Sequence, residues 1–390
     1  MNKYRALLAI AVLGLIAVMM IGCDSGPGAA TEIVIGNLQD LSGPTSVWGN
    51  AVTRGADLAA AKINAAGGIN GKKIKLVTLD TKGDVQEAIK AFNRLADQDK
   101  AVAVIGPPIS NIGIGLAKTA DDKKIAFVGS FADPRAMIGE DGKVHPSMFL
   151  MQPSTVQYGQ LMASYAVDKL KFKKIGILYD QSNAYAVSLV GPFKKYAEAA
   201  GAKIVAEEVY TKNDRDYKTQ LSKIKAAKPD VVFAPNYIQG LVITAKQAKE
   251  LAMKMPFFGA LDYAAPFASL VNDPEAATNI YFANNYSDSE PQLTEVRAAY
   301  KAKYNENPIN KVYLGYDKML IVAEAIKKGG EPTPAKILAG MSQISGLQGT
   351  TGVLTISPQD HMPVGLSMVM YKLDKGEYID LGRYVPEKKM

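Results

Sequence analysis

Short apolar runs of strand length alternate with longer amphipathic segments along the chain from residue 31. Residues 33–35 and 74–79 are largely apolar, and residues 51–65 between them have a helical pattern that ends at Gly67-Gly68. The next apolar positions recur at spacings of four, three and three, on one face of a helix: Val85, Ile89, Phe92 and Leu95. A further strand is predicted at residues 101–105. This alternation is typical of βαβ units around a parallel sheet.

The same pattern begins again in the second part of the chain. Strands are predicted at residues 175–179, 203–210 and 231–233, with a helix through Phe193 and Tyr196 after the first of them. The face of another helix is marked by three apolar positions before Pro229: Tyr217, Leu221 and Ile224. In open parallel sheets a ligand lies beyond the carboxyl ends of the strands, and two such lobes facing each other form a cleft. The sequence therefore predicts an α/β fold of two doubly wound parallel-sheet lobes with a ligand cleft between them.

Length and composition agree with a folded protein of this size. The chain has 390 residues, 48% of them hydrophobic and 21% charged, which is enough apolar side chain for two cores. The formal net charge is +7, but the lysines are spread along the chain and form no basic patch. We therefore expect no nucleic-acid partner.

The first residues have the pattern of an export signal. Lys3 and Arg5 precede an apolar run of sixteen residues at 6–21, which is short for a membrane span and typical of a signal core. Met19 to Cys23 resembles a bacterial lipobox, with Met20 where leucine is usual. We predict a lipoprotein signal peptide at residues 1–22.

Cys23 is the only cysteine in the chain, so no disulfide can form within one molecule. A free thiol in an exported protein is open to oxidation, whereas a diacylated cysteine serves as a stable membrane anchor. We predict that Cys23 is lipidated and that residues 23–31 form a flexible tether; a buried thiol without a role is the alternative. The protein is then expected outside the cytoplasm, anchored to a membrane through its lipid.

Several motifs together resemble the leucine/isoleucine/valine-binding proteins, which are type I periplasmic binding proteins. They are Leu41-Ser-Gly-Pro44, Gly55-Ala56, residues 63–71, Asp80-Thr81, Val104-Ile-Gly106, residues 180–185 and residues 233–237. The resemblance covers nearly all of residues 32–385. It implies one lobe of residues 32–150 plus 284–352 and another of residues 151–283 plus 353–390, which close on a ligand about a hinge.

The resemblance also implies which residues bind the ligand in the first lobe. Ser110 matches the serine that holds the ligand carboxylate at a helix start, where unpaired N–H groups favour an anion; capping of its own helix is the alternative. Ser130 falls in the loop that binds the ligand ammonium, and Ala132 stands there in place of a threonine. Phe131 either narrows the pocket or packs inside the lobe. Trp48, placed in a loop after the first strand, is expected against the ligand side chain or else in the core.

From the second lobe the resemblance implies three further ligand contacts. Tyr185 and Tyr237 match tyrosines that cover the ligand, with a core position as the alternative for each. Asp262 lies one residue after Leu261, which matches the acidic residue that pairs with the ligand ammonium. Its carboxylate either faces the cleft or turns to solvent.

Catalytic and metal chemistry find little support in the residues. The only histidines are His145 and His361, and no phosphate-binding glycine loop or metal-ligand spacing is present. We expect no enzyme activity, no metal and no cofactor.

The resemblance implies a small amino-acid-like ligand, a branched-chain or other hydrophobic amino acid. Ala132 and the offset of Asp262 motivate the alternative, an aromatic acid or a short amide. The implied partners are the permease and ATPase subunits of an ABC importer. A ligand sensor that does not take part in transport is the alternative function.

Overall fold

The computed structural model describes residues 32–364 and 368–384. Cys23, the predicted signal peptide and the predicted tether at residues 23–31 lie outside the described residues. No helix within the described ranges is both long enough and apolar enough to cross a bilayer.

The first lobe is built around a five-stranded sheet with the strand order β2-β1-β3-β4-β5. Its strands are β1 (Glu32–Gln39), β2 (Lys73–Asp80), β3 (Ala103–Ile105), β4 (Ala126–Gly129) and β5 (Met148–Leu150). The helices between them are α1 (Ser46–Ala65), α2 (Val85–Asp97) and α3 (Ser110–Lys123). The pairs β1–β3, β3–β4 and β4–β5 are parallel, as the alternating pattern predicts.

The second lobe is built around a seven-stranded sheet with the order β14-β13-β10-β9-β8-β6-β7. Its strands are β6 (Lys174–Asp180), β7 (Lys203–Tyr210), β8 (Val231–Phe233), β9 (Phe257–Gly259), β10 (Ile280–Asn284), β13 (Met368–Asp374) and β14 (Glu377–Tyr384). The helices are α4 (Thr155–Ser164), α5 (Ala184–Ala199), α6 (Lys218–Ala226), α7 (Ile238–Glu250) and α8 (Phe267–Val271). The α/β architecture of two lobes is confirmed.

One edge of the second sheet departs from the parallel pattern. Strands β13 and β14 form an antiparallel hairpin, and β13 also pairs antiparallel with β10. The two residues between β13 and β14, Lys375 and Gly376, both have positive φ angles, 48° and 83°. Such a two-residue turn matches the twist of paired antiparallel strands, so the chain reverses locally instead of crossing over through a helix.

After β10 the chain returns to the first lobe. The returning elements are α9 (Thr294–Tyr304), α10 (Asn310–Gly329), α11 (Pro334–Met341), β11 (Leu347–Gln348) and β12 (Val353–Leu354). Leu354 and Ile356 are buried in the core of the first lobe, and the ring of His361 stacks on Phe149 with centroids 4.4 Å apart. Residues 354–361 thus pack on the first lobe before the chain reaches β13 of the second sheet.

Helix α1 begins earlier than its apolar pattern predicts. The Asp40 carboxylate accepts hydrogen bonds from the N–H groups of Gly43 and Thr45 at 2.6 and 2.7 Å, and from the Thr45 hydroxyl at 2.6 Å. These bonds fold the loop tightly and allow the helix to begin at Ser46. Trp48 therefore lies in the first turn of α1 and not, as predicted, in a loop.

Candidate functional site

The candidate site lies where the carboxyl ends of strands from both sheets meet. Polar contacts between described residues join the lobes there. The Ser110 N–H donates to the hydroxyl of Tyr237 at 3.0 Å, and the Asn310 side-chain amide donates to the carbonyl of Leu261 at 3.3 Å. A third is an ion pair from Lys311 Nζ to Asp262 Oδ1, 3.5 Å long. The structure therefore brings predicted residues of the two lobes to one cleft.

Ser110 is the first residue of α3, directly after the loop that follows β3. The N-cap position belongs to Ile109, and no side chain caps the helix. The Ser110 hydroxyl instead accepts a hydrogen bond from the Asp133 N–H at 3.3 Å, which connects the start of α3 to the loop after β4. Ser110 is thus not the cap of its own helix. Its N–H lies at a helix start, where a partial positive charge favours an anion.

The loop after β4 places its three expected residues differently. Ser130 is buried, and its hydroxyl has no hydrogen-bond partner in the part of the chain that the structure describes. Its carbonyl accepts from Gln152 Nε2 at 2.6 Å. Phe131 is fully buried in the first lobe, with its ring centroid 5.3 Å from that of Phe127. Of the two alternatives for Phe131, the structure shows packing inside the lobe, so we leave it out of the candidate ligand contacts.

Three aromatic rings form one wall across the cleft. Trp48 from the first lobe meets Tyr237 edge to face, with ring centroids 5.5 Å apart. Tyr237, at the start of α7, stacks on Tyr185 in the first turn of α5, with ring centroids 5.6 Å apart.

The Tyr185 hydroxyl is buried without a hydrogen-bond partner among residues 32–364 and 368–384. Burial raises the pKa of this phenol well above 10, and the nearby Asp262 carboxylate adds to the shift. The hydroxyl therefore stays protonated and able to donate.

Asp262 faces the cleft and is only 7% exposed. Burial raises the pKa of its carboxyl, and the neighbouring Lys311 ammonium opposes that shift. Lys311, the second residue of α10, is equally buried, and its Nζ also lies 4.6 Å from the centre of the Trp48 ring. Burial lowers the pKa of Lys311, against the attraction of Asp262. A charged pair in so dry a place is stable only with both partners present.

Four cleft residues are absent from the sequence-based prediction. Gln152 and Thr155 each carry a buried polar atom, Oε1 and Oγ1, that lacks a partner within the described ranges. Lys318 is fully buried and donates to the carbonyl of Gly106 at 2.8 Å. The fourth is Lys311. The sequence did contain a signal for the two lysines. Lys311 and Lys318 are seven residues apart and so lie on one face of a helix, and that helix is otherwise largely apolar, whereas lysines are expected on an exposed polar face.

The cleft continues outward from Tyr237 as a cavity of about 260 Å³. Its lining comes from both lobes and includes Asp40, Thr45 and Asn111 on one side and Asp180, Ser182 and Lys212 on the other. Asn111 bonds across it, accepting from the Ala184 N–H at 3.1 Å. No group of three or more His, Cys, Asp or Glu side chains in the described part of the chain could hold a metal ion.

Comparisons with known proteins identify relatives for nearly the whole chain. A family model described as periplasmic binding protein matches residues 32–377. An amino acid binding protein of Pseudomonas aeruginosa is 34% identical over 206 residues, which is 53% of this chain and 54% of that protein. The chain thus matches about half the length of this relative.

Two solved structures have the same fold over about nine-tenths of the chain. One is the substrate-binding protein of a branched-chain amino acid transporter from Streptococcus pneumoniae, in complex with isoleucine: 27% identity, TM-score 0.81, with 90% of this chain and 99% of that chain covered. The other is a solute-binding protein of an ABC transporter from R. palustris, in complex with benzoate: 21% identity, TM-score 0.80, with 92% and 97% covered. Since the same fold holds an amino acid in one case and benzoate in the other, the fold alone does not set the ligand.

Proposed function

This chain belongs to the periplasmic binding protein family, and we propose on that premise that it is the extracytoplasmic receptor of an ABC importer, which closes its lobes on a small, largely apolar carboxylate. The observation that carries the proposal is the Ser110 N–H, which stands at a helix start and is bonded to Tyr237 of the opposite lobe. A ligand carboxylate at this N–H would contact both lobes at once.

The proposed mechanism is closure about a hinge. The carboxylate binds at the start of α3, and the apolar body of the ligand packs on the wall of Trp48, Tyr185 and Tyr237. A ligand that contacts both lobes binds the closed form better than the open form and so shifts the population toward closure. Transport then depends on recognition of the closed form by permease subunits, with cytoplasmic ATPase subunits as further partners.

The ligand class follows from the wall and from the relatives. Hydrophobic amino acids are supported by the resemblance of the sequence, and amino acids in general by the similarity to the amino acid binding protein of Pseudomonas aeruginosa. An aromatic acid or a short amide would pack on the same three rings. The absence of a threonine at position 132 and the contact of Asp262 with Lys311 favour this alternative.

The lipid anchor at Cys23 is part of the same proposal. It rests on the apolar run before Gly22 and on the single cysteine. Mass spectrometry of the membrane-derived protein is expected to find an acylated N-terminal Cys23. An intact, unacylated thiol at this position would contradict the anchor while leaving the binding function untouched.

The single tryptophan gives a direct test of binding. Trp48 is the only tryptophan in the chain and forms part of the cleft wall, so its fluorescence should change when a ligand contacts its ring. We expect a saturable change with at least one member of a panel of hydrophobic amino acids, aromatic acids and short amides. The same ligand at about 100 times its Kd should stabilise the fold by about 2.7 kcal/mol, visible as a raised Tm.

The control is Trp48→Phe, which keeps an aromatic ring but removes the signal. Calorimetry on this variant should still detect the ligand found by fluorescence. A panel in which no compound changes either the fluorescence or the Tm would contradict the proposed function.

A further inference from the structure

We propose that Lys311 supplies the ammonium group that pairs with Asp262 in the closed cleft, and that the ligand is therefore a small carboxylate without an α-ammonium group. This inference rests on the proposed function and narrows its ligand class. Lys311 is then a specificity-determining residue, because its ammonium group occupies the position beside Asp262 that the ammonium of an amino acid would need.

The geometry places the Lys311 ammonium inside the site. Its Nζ is 3.5 Å from Asp262 Oδ1 and 4.6 Å from the centre of the Trp48 ring, and the side chains of the ion pair are only 3% and 6% exposed. Lys311 comes from the first lobe and Asp262 from the second, so the pair forms across the cleft. An α-ammonium placed beside Asp262 would lie next to a second buried cation, which disfavours the charged form of both.

Three carbonyl groups near the cleft are also engaged by donors of the protein. The carbonyl of Ser130 accepts from Gln152 Nε2 at 2.6 Å, and that of Ala132 accepts from the Thr155 N–H at 2.8 Å. The carbonyl of Gly106 accepts from Lys318 at 2.8 Å. An ammonium group needs several acceptors to replace its hydration, and these three are already in use.

The groups left without partners are mainly hydroxyls, which can donate to an anion. Among the described residues around the cleft they are Ser130 Oγ, Thr155 Oγ1 and Tyr185 Oη, together with one acceptor, Gln152 Oε1. All four atoms are buried, and a buried polar group without a partner is costly. A ligand carboxylate would accept hydrogen bonds from these hydroxyls. A ligand ammonium could donate only to the hydroxyl oxygens and to Gln152 Oε1.

The buried lysines near the cleft disfavour a ligand that carries an ammonium group. Lys311 is balanced by Asp262, and Asp133 is balanced by Arg135 at 2.6 Å. Lys318 is buried with a carbonyl as its bonded partner, and no carboxylate in the described part of the chain lies within ion-pair distance of it. Its neighbour Asp317 instead accepts four bonds from Thr350 and Thr351. Burial and the charge of the nearby Lys311 lower the pKa of Lys318 well below its usual value, so a further cation beside these two lysines is disfavoured. A zwitterion brings such a cation, and a simple carboxylate does not.

Pairs of compounds that differ only in the α-ammonium provide the test. We would compare leucine with 4-methylpentanoate, isoleucine with 3-methylpentanoate and phenylalanine with 3-phenylpropanoate, by calorimetry on the wild-type protein. The expected result is that the compound without the ammonium binds at least about tenfold more tightly in the pair that fits best, because it avoids the repulsion from Lys311.

Variants of the ion pair test the role of Lys311 itself. Lys311→Met frees Asp262 for a ligand ammonium and should reduce the preference for the simple carboxylate by at least about tenfold. Because this change leaves a buried carboxylate unpaired, Lys311→Met/Asp262→Asn is the second variant: it removes both charges and should not gain affinity for the amino acid. Lys327→Met, at an exposed position on the same helix, is the matched control and should keep the wild-type preference.

The outcomes separate the two proposals. Equal or tighter binding of the amino acid in the best pair, or an unchanged preference in a folded Lys311→Met variant, would overturn the inference and leave the proposed function standing. No binding from any pair, together with no binding from the wider panel, would overturn the proposed function and this inference with it.

Discussion

Ser110 combines two bonds that differ in what they do. Its N–H crosses the cleft to Tyr237, and its hydroxyl accepts from the buried N–H of Asp133 within the first lobe. The first bond uses the backbone and survives any substitution except proline. The second depends on the side chain, so replacing the side chain changes the loop after β4 and, through it, the place of Ser130.

Ser110→Ala should weaken ligand binding by roughly ten- to a hundredfold. The Ser110 hydroxyl accepts from Asp133, so its own hydrogen is expected to donate to the ligand carboxylate, and alanine removes that bond. A hydrogen bond to a charged group contributes about 1.5–3 kcal/mol, and each 1.4 kcal/mol corresponds to about a factor of ten in Kd. Loss of the Asp133 contact should also lower the free energy of unfolding by about 1–3 kcal/mol. Calorimetry at a temperature where the variant is folded gives the first value, and urea unfolding gives the second.

Ser269→Ala is the matched control, because its hydroxyl donates to a backbone carbonyl at an exposed position in the second lobe. It should leave both the Kd and the stability nearly unchanged. If Ser110→Ala lowers the stability but not the affinity, Ser110 is only a structural residue and the carboxylate site must lie elsewhere in the cleft.

Helices α1 and α10 pack at a distance that only glycine allows. A Cβ atom added to Gly55 would clash with the carbonyl of Val312, and one added to Gly315 would clash with the carbonyl of Val52. The two glycines thus form a reciprocal contact that brings the backbones of the helices together. This contact matters for the site, because α1 holds Trp48 and α10 holds Lys311.

Gly55→Ala should lower the free energy of unfolding by about 1–3 kcal/mol or more, because the helices must move apart to admit the methyl group. Urea unfolding followed by circular dichroism measures the change. The displaced Trp48 should also show an altered fluorescence spectrum before any ligand is added.

Gly191→Ala is the control for the substitution itself. Gly191 lies on α5, is exposed, and has no atom within 4 Å of a Cβ built on it. Alanine has the higher helix propensity, so this variant should be as stable as the wild type or more stable by up to about 1 kcal/mol. If both variants lose the same free energy of unfolding, the packing of α1 against α10 is not the cause of the loss in Gly55→Ala.

The lobes as whole bodies are held together by a small number of polar contacts around the cleft. Tyr237 makes one of them with its hydroxyl, while its ring packs on Trp48 and Tyr185. Polar contacts of this kind suit a receptor that must open if they favour the closed state by only a few kcal/mol, because ligand binding can then shift the balance of the two states.

Tyr237→Phe should shift the unliganded protein toward the open form. The change removes one hydrogen bond of about 1 kcal/mol and keeps the ring, so the ratio of closed to open molecules should fall by about fivefold. Small-angle X-ray scattering should then show a larger radius of gyration without ligand. Tyr196→Phe, which removes a 2.6 Å bond to Asp168 inside the second lobe, should leave the scattering unchanged; a like increase in both variants would contradict the hinge interpretation.

Local periodicity determined most of the secondary structure, because strands and helices bury one face each and leave that spacing in the sequence. The strands at residues 203–210 and 231–233 lie where the pattern predicts them. Local patterns did not predict the structure where side-chain hydrogen bonds set the end of an element. The start of α1, for example, is set by the bonds that the Asp40 carboxylate accepts. The antiparallel hairpin at the edge of the second sheet also went unpredicted.

The residue types of the cleft wall were readable from the motifs, but the electrostatics of the site were decided only by the tertiary structure. Lys311 and Asp262 are 49 residues apart in sequence and belong to different lobes, so no local pattern links them. Phe131 and Ser130 are neighbours in sequence, yet the ring of Phe131 packs in a core and the hydroxyl of Ser130 is buried without a hydrogen-bond partner among the described residues. The physical reason is that burial and pairing of a charge depend on every element that surrounds it, whereas the sequence determines directly only the face on which each element buries its apolar side chains.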